Sequence, residues 1–190
     1  MRLSDFFNSL YRLNRLRDRS SQTVRLYQCT LRAFEHYLGR PAHLADLNDD
    51  TLSAYLTARG QSVSPETCRK EYDQLTALWR YANRKQLVKT WPDIAVPKTV
   101  KRNPQALTIQ QLARLFSAAE EHSEQMACLV RLAWQTAERK SAMLGLLVGD
   151  VRGSHVIFRA ENRKGGNDDK VSVITDKLAC RLAKLNCSGF

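Results

Sequence analysis

The stretch SPETCRKEYDQLTALWRYANRKQL, residues 64–87, decides the fold class because it carries a full set of helix signals. Ser64 can cap a helix start, and Pro65 suits the first helical position, where no backbone N–H is needed. Its apolar side chains recur at helical spacing and share one face. This stretch therefore predicts an amphipathic helix packed in a helical core. The residues of that face are Cys68, Tyr72, Leu75, Leu78, Trp79 and Ala82.

Three more helical segments precede this one, with short connections between them. Apolar residues recur at helical spacing over residues 4–17 and again over residues 20–40, where Ser20 or Ser21 can cap the start and Gly39 fits the end. The segment NDDTLSAYLTARG begins with Asn and Asp residues and ends at Gly60. Four helices in about 90 residues predict a compact bundle over residues 1–91.

The composition then changes over residues 92–106, which combine prolines and cations with little periodicity. We expect a linker there. Beyond it, Thr108 and Gln111 form a capping box, and a stripe of Leu112, Leu115, Phe116 and Ala119 predicts a helix with one buried face.

A second helix begins at Ser123, and HVIFRA and KVSVIT read as two strands joined by the hairpin ENRKGGNDD. A last helix, DKLACRLAKL, closes this part of the chain. The expected fold is mainly α: a four-helix bundle, a linker, and over residues 107–190 a small α+β unit with an antiparallel β-hairpin.

Charge indicates the kind of partner. The 30 Lys and Arg residues exceed the 19 Asp and Glu residues, which gives a net charge of +11 and an isoelectric point near 9.7. An excess of this size favours a polyanion, most simply nucleic acid. The sequence has no apolar run of membrane-spanning length and no signal-peptide pattern, so we expect a cytoplasmic, nucleoid-associated protein. The five cysteines and four histidines lack metal-ligand spacing, so neither a metal nor a cofactor is expected.

Two motifs in the second half resemble the tyrosine recombinases, also called phage integrases. In that family the first catalytic arginine lies in a T-G-x-R-x-S-E-L pattern, and residues 136–143 read TAERKSAM, which places Arg139 on the arginine. The family's catalytic lysine lies in a β-hairpin turn, and the hairpin here offers Lys164. These motifs follow a bundle and a linker in the family's order, so the resemblance covers nearly the whole chain.

The resemblance implies a SAM-like core-binding bundle and the first part of a catalytic domain. It implies that Arg139 holds non-bridging oxygens of a DNA phosphate and that Lys164 protonates the leaving oxygen. Taken alone, Arg139 also fits an ordinary solvated residue at a helix start, and Lys164 fits an ordinary turn lysine. Ala137 and Ala142 replace the Gly and Glu of the family pattern.

The second half of the family's site has no counterpart in these 190 residues. No histidine is followed three residues later by arginine, and all six tyrosines precede the expected linker. We therefore expect a truncated recombinase or integrase, either from a decayed mobile element or a fragment of a longer chain, which binds DNA but does not cleave it alone. The alternatives are a non-catalytic DNA-binding module or regulator, and a protein-interaction domain with incidental basicity.

Double-stranded DNA is the expected partner, gripped by two cationic units on a tether, and self-association on DNA stays open. Backbone contacts in the bundle are expected from three arginines of the helix that begins at Ser64, and further contacts from cations of the linker. The expected DNA-binding residues are Arg69, Arg80, Arg84, Lys98, Lys101 and Arg102.

Overall fold

The chain divides into two compact units, Met1–Asn103 and Pro104–Phe190. The computed structural model describes residues 1–99, 103–163, 165 and 167–186. The boundary between the units falls inside the segment expected as a linker, residues 92–106. None of the described helices is both long enough and apolar enough to cross a lipid bilayer.

Unit 1 is built from helices, as the periodicity predicts. Its first helical stretch is continuous but contains one wider π turn at Phe7–Tyr11, which separates α1 from α2. A short 3-10 turn at Leu44–Asp46 precedes the fourth α-helix. The α-helices are α1 (Leu3–Phe6), α2 (Arg12–Arg15), α3 (Ser21–Leu38), α4 (Asp49–Gly60) and α5 (Pro65–Arg84).

The helix ends of unit 1 follow the local signals of the sequence. The side chain of Ser20 accepts a hydrogen bond from the Thr23 N–H, so Ser20, not Ser21, caps α3. Ser64 does the same for α5, with Pro65 in its first turn. Gly39 ends α3 with a φ of 67°, a left-handed conformation that glycine adopts without steric cost.

Aromatic side chains fill the core of unit 1. Phe34 meets Tyr55 edge-on, with ring centroids 5.1 Å apart, which joins α3 to α4. Trp79 is fully buried on α5, and its indole N–H donates to the carbonyl oxygen of Thr90 at 2.9 Å. That bond holds the chain beyond α5 against the bundle.

A buried carboxylate joins α4 to α5. Glu71 accepts a hydrogen bond from the Tyr55 hydroxyl at 2.7 Å and a two-pronged ion pair from Arg59, at 2.9 and 2.7 Å. Burial alone would raise the pKa of the Glu71 carboxyl, but the bonds from Arg59 and Tyr55 outweigh it and hold that pKa below its ordinary value. Sequence periodicity places Glu71 near the buried face but does not reveal its partners.

The first half of the expected linker packs on unit 1. The Asp93 N–H donates to the Asp49 carboxylate at 2.9 Å, and Ile94 packs against the apolar core. Pro92 is buried. The composition predicts a linker here, and in the structure Pro92 and Ile94 hold the first residues of that segment against the bundle.

Within its described residues, unit 2 combines four α-helices with a three-stranded antiparallel sheet in the order β1-β2-β3. Strands β2 and β3 are the two that alternation predicts, with Val156 opposite Ser172. Strand β1 is only two residues long, too short to give a pattern. The elements are α6 (Ile109–His122), α7 (Glu124–Thr136), α8 (Lys140–Leu144), β1 (Val151–Arg152), β2 (His155–Phe158), β3 (Lys170–Val173) and α9 (Asp176–Asn186).

The core of unit 2 lies between the sheet and helices α7, α8 and α9, where Leu132, Phe158 and Leu178 are buried. The capping box of Thr108 and Gln111 forms as predicted. The predicted burial of the α6 stripe is wrong, because of its four residues only Ala119 is buried and Leu115 is 41% exposed. Helix α6 packs chiefly on α7, and its apolar stripe is wider than that contact.

Candidate functional site around Arg139

Arg139 lies in the tight connection between α7 and α8. Helix α7 ends at Thr136, and Arg139 stands at the start of α8 with extended backbone angles, φ −70° and ψ 146°. Its carbonyl oxygen accepts the N–H groups of Ala142 and Met143, at 3.0 and 3.1 Å, which begins the short helix. The Arg139 side chain is exposed at the surface.

The connection is held by Thr136 and bent by Ala137. The buried Thr136 hydroxyl donates to the Leu132 carbonyl oxygen at 2.7 Å and accepts the Glu138 N–H at 3.3 Å. Ala137 has a φ of 52°, in the left-handed region that favours glycine. The Gly of the recombinase pattern falls on this position, so the backbone shape explains why that pattern has Gly there.

Glu138 ties this connection to the sheet through one nearly buried carboxylate, whose side chain is 6% exposed. Its Oε1 accepts the Lys170 ammonium at 2.9 Å and lies 3.4 Å from Nε of Arg163. Its Oε2 accepts the backbone N–H of Arg139 at 3.2 Å. The Lys170 hydrogen bond, with help from the Arg139 N–H and both cations, holds the pKa of Glu138 below its ordinary value against the effect of burial.

These contacts gather an excess of positive charge at the start of α8. Arg163 and Lys170 both lie within ion-pair distance of the one Glu138 carboxylate, so two cations approach one anion there. The Lys170 ammonium also lies 3.5 Å from the carbonyl oxygen of Thr136, which fixes it beneath the connection. An exposed guanidinium beside such a cluster can bind an anion with two parallel hydrogen bonds.

The structure places one of the two predicted catalytic residues. Arg139 lies on the exposed connection described above, whereas Lys164 lies outside the described residues, so their pairing stays a prediction. Sequence reasoning did not single out Glu138 or Lys170. The signal available for them was the placement of Glu138 beside Arg139 in the motif and of Lys170 at the start of β3.

The predicted DNA-binding arginines of α5 are partly engaged by their neighbours. Arg69 donates to the Asp73 carboxylate at 3.0 Å, and the Arg80 guanidinium lies 5.8 Å from the centroid of the Trp91 ring. Arg84 is exposed in the last turn of α5, and Lys98 is exposed on the segment packed against unit 1. The two other predicted residues, Lys101 and Arg102, lie outside the described residues.

No protein-family model matches the chain. It is 30% identical to tyrosine recombinase XerC of Alcanivorax borkumensis over 178 residues, which cover 85% of this chain and 57% of the relative. It is 22% identical to tyrosine recombinase XerA of Saccharolobus solfataricus over 187 residues, which cover 95% and 62%.

The chain spans about three fifths of the length of these curated relatives. A solved structure, a crystal structure of XerA recombinase, aligns over 96% of this chain and 61% of that chain, with 17% identity and a TM-score of 0.38. The chain is related to the tyrosine recombinase family over this part of the family's length.

Proposed function

We propose that this chain binds double-stranded DNA and takes part in DNA recombination or integration, as a protein of the tyrosine recombinase kind. The observation that carries the proposal is Arg139, exposed on the connection between α7 and α8 and backed by Lys170 through the Glu138 carboxylate. The net charge of +11 and the relationship to XerC and XerA support it. Such a protein acts where the DNA is, in the cytoplasm at the nucleoid.

In this proposal Arg139 holds one backbone phosphate. A guanidinium is planar and always charged, so it can contact two non-bridging oxygens and stabilise the charge that builds on them during phosphoryl transfer. Glu138 fixes the backbone from which Arg139 projects, and Lys170 neutralises that carboxylate so that it does not repel the phosphate. Lys164 is the proposed proton donor to the leaving oxygen.

We further propose that these 190 residues alone bind DNA without cleaving it. The tyrosines all belong to unit 1, and Tyr55 and Tyr72 are buried in its core. Burial, followed by the hydrogen bond with Tyr11, raises the pKa of Tyr27 far above its ordinary value, which makes it a poor nucleophile. With no tyrosine in unit 2, a strand-cleaving nucleophile has to come from elsewhere.

A salt titration tests the DNA proposal. The affinity of the full chain for a labelled duplex should fall linearly on a log–log plot against salt, with a slope of about −0.9 for each phosphate neutralised. Arg139→Ala should weaken binding more than Arg152→Ala, a matched change of the exposed arginine of β1. A flat salt dependence, or equal effects of the two substitutions, would contradict the proposal.

A suicide duplex carrying a nick near the cleavage position tests the second proposal. We expect retarded DNA but no covalent protein–DNA adduct on a denaturing gel. A covalent adduct formed by these 190 residues would mean that a nucleophile exists within them.

A further inference from the structure

The densest run of cations in unit 1 lies at the junction between α2 and α3, not on α5. Residues 12–19 read RLNRLRDR, which gives four arginines and one aspartate in eight residues. All four guanidiniums are on exposed residues, and within the described part of the chain none of them forms an ion pair. Their charge is therefore not cancelled by a protein carboxylate.

The junction has a fixed shape. Leu16 is buried and ends α2, and the Arg19 N–H donates to the Leu16 carbonyl oxygen at 3.1 Å, which closes a turn. Arg12, Arg17 and Arg19 line a concave surface of about 490 Å³. Its apolar lining includes Leu13, which is 63% exposed. The concavity thus combines cations with an exposed apolar side chain.

The arginines of α5 offer less free charge. Arg69 forms an ion pair with Asp73, so less of its positive charge is available to attract a phosphate. Arg80 lies against the Trp91 ring, and moving it to a phosphate would give up that cation–π contact. Among the described residues, neither an ion pair nor a cation–π contact engages Arg12, Arg17 or Arg19 in this way.

We propose that the junction arginines, Arg12, Arg17 and Arg19, form the surface through which unit 1 contacts the sugar–phosphate backbone of duplex DNA. The inference rests on the DNA-binding function proposed above and names the surface that serves it. Each guanidinium can bind two oxygens of one phosphate with two parallel hydrogen bonds. Between its phosphates, the DNA backbone presents the apolar face of deoxyribose, which Leu13 can contact. Such contacts position the protein and do not read sequence.

Two triple variants of the full chain with the same change in charge test this surface. One carries Arg12→Gln, Arg17→Gln and Arg19→Gln, and the other carries Arg69→Gln, Arg80→Gln and Arg84→Gln. The affinity of each for a labelled duplex of random sequence is measured from about 50 to 200 mM salt. Since each lost phosphate contact removes about 0.9 from the slope, the junction variant should lower its magnitude by about 2 to 3. The α5 variant should lower it by less than about 1.

Equal slope changes in the two variants, or a larger change in the α5 variant, would overturn the inference while leaving DNA binding intact. A flat salt dependence of the unsubstituted protein would instead remove the proposed function on which the inference rests. The junction side chains are exposed, so the thermal unfolding of the triple variant should match that of the parent. Arg17→Gln alone, expected to lower the slope magnitude by about 0.9, keeps the test decisive if the triple variant folds poorly.

A further variant separates charge from the apolar contact. Leu13→Asn keeps every cation, so it should weaken duplex binding a few-fold without changing the salt slope. Unchanged affinity would show that Leu13 does not contact the backbone and would overturn that part of the inference.

Discussion

The two units of the chain cover their apolar surface to different degrees. In unit 1 the apolar faces of α3, α4 and α5 meet in a core of aromatic and leucine side chains. In unit 2 the α6 stripe is half covered, and Trp134 of α7 is 61% exposed. Met126, Leu144 and Leu182 also line an open apolar cavity of about 480 Å³ beside the core.

This difference predicts a difference in local stability. Burial of apolar surface is the main favourable term in folding, at roughly 25 cal/mol for each Å² removed from water. A unit whose three long helices all bury large side chains resists local opening better than one that leaves more of them exposed. Unit 1 should therefore open less often than unit 2.

The buried carboxylates of the two units differ in a second way. Glu71 lies inside unit 1 and joins α4 to α5. Glu138 joins the α7–α8 connection to the sheet and bonds the backbone of Arg139. The same chemistry thus stabilises a fold in one unit and shapes a candidate site in the other.

The largest expected effect comes from one tryptophan in each unit. Trp79→Ala removes a fully buried ring from unit 1 and should cost about 3–5 kcal/mol of its unfolding free energy. Trp134→Ala removes an exposed ring whose main contact is an edge-on approach to Phe116, so unit 2 should lose about 1 kcal/mol or less. Residue-resolved hydrogen exchange measures the loss of stability in each unit. Similar losses in the two units would contradict the expected difference between them.

The next effect concerns Glu71. Glu71→Gln leaves Arg59 without its charged partner and should cost about 3 kcal/mol, the low end for breaking a buried ion pair, since Arg59 keeps 26% exposure. Asp73→Asn breaks an exposed pair with Arg69 on the same helix and should cost under about 1 kcal/mol. Urea unfolding of unit 1 compares them, and equal costs would mean that the buried network adds no stability.

Acid should remove the advantage that Glu71 provides. Its pKa is lower in the folded than in the unfolded protein, so the stabilisation is present above the unfolded value of about 4.3 and is lost as pH falls through the folded pKa. The difference in unfolding free energy between the parent and Glu71→Gln should therefore narrow below about pH 4. Urea titrations at a series of pH values measure this difference in unfolding free energy. A difference that grew larger in acid would contradict the prediction.

Local signals account for what the sequence predicted well. Ser20 and Ser64 cap their helices because a cap needs only a side-chain oxygen three residues before an N–H. The mainly helical class and the relationship to tyrosine recombinases are confirmed. The ion pair of Glu138 with Lys170 could not be predicted from the sequence, because Lys170 lies 32 residues away in the chain. The two side chains come close only when β3 packs beside the α7–α8 connection.

The remaining differences between sequence prediction and structure come from side-chain contacts and packing that the sequence does not reveal. Helical spacing groups Arg69, Arg80 and Arg84 on one arc, but spacing does not tell which of them Asp73 or Trp91 engages. Periodicity likewise identifies the apolar stripe of α6 but not how much of it a neighbour covers. Arg139 is predicted from a sequence motif. The left-handed backbone conformation at Ala137, two residues before it, is visible only in the structure.

The smallest expected effect concerns that turn in unit 2. Ala137→Gly replaces a residue held at a φ of 52° by one that adopts this conformation freely, so it should stabilise unit 2 by about 1 kcal/mol. It also restores the Gly of the recombinase pattern two residues before Arg139. Urea unfolding of unit 2, followed by hydrogen exchange in α7 and α8, measures the change.

Ala133→Gly is the matched control, because it makes the same chemical change one helical turn earlier, inside α7. There glycine loses helix propensity, so the substitution should destabilise unit 2 by about 1 kcal/mol. Opposite signs at the two positions would show that the left-handed turn stores strain beside Arg139. Loss of stability at both positions would show that the left-handed turn at Ala137 stores no strain beside Arg139.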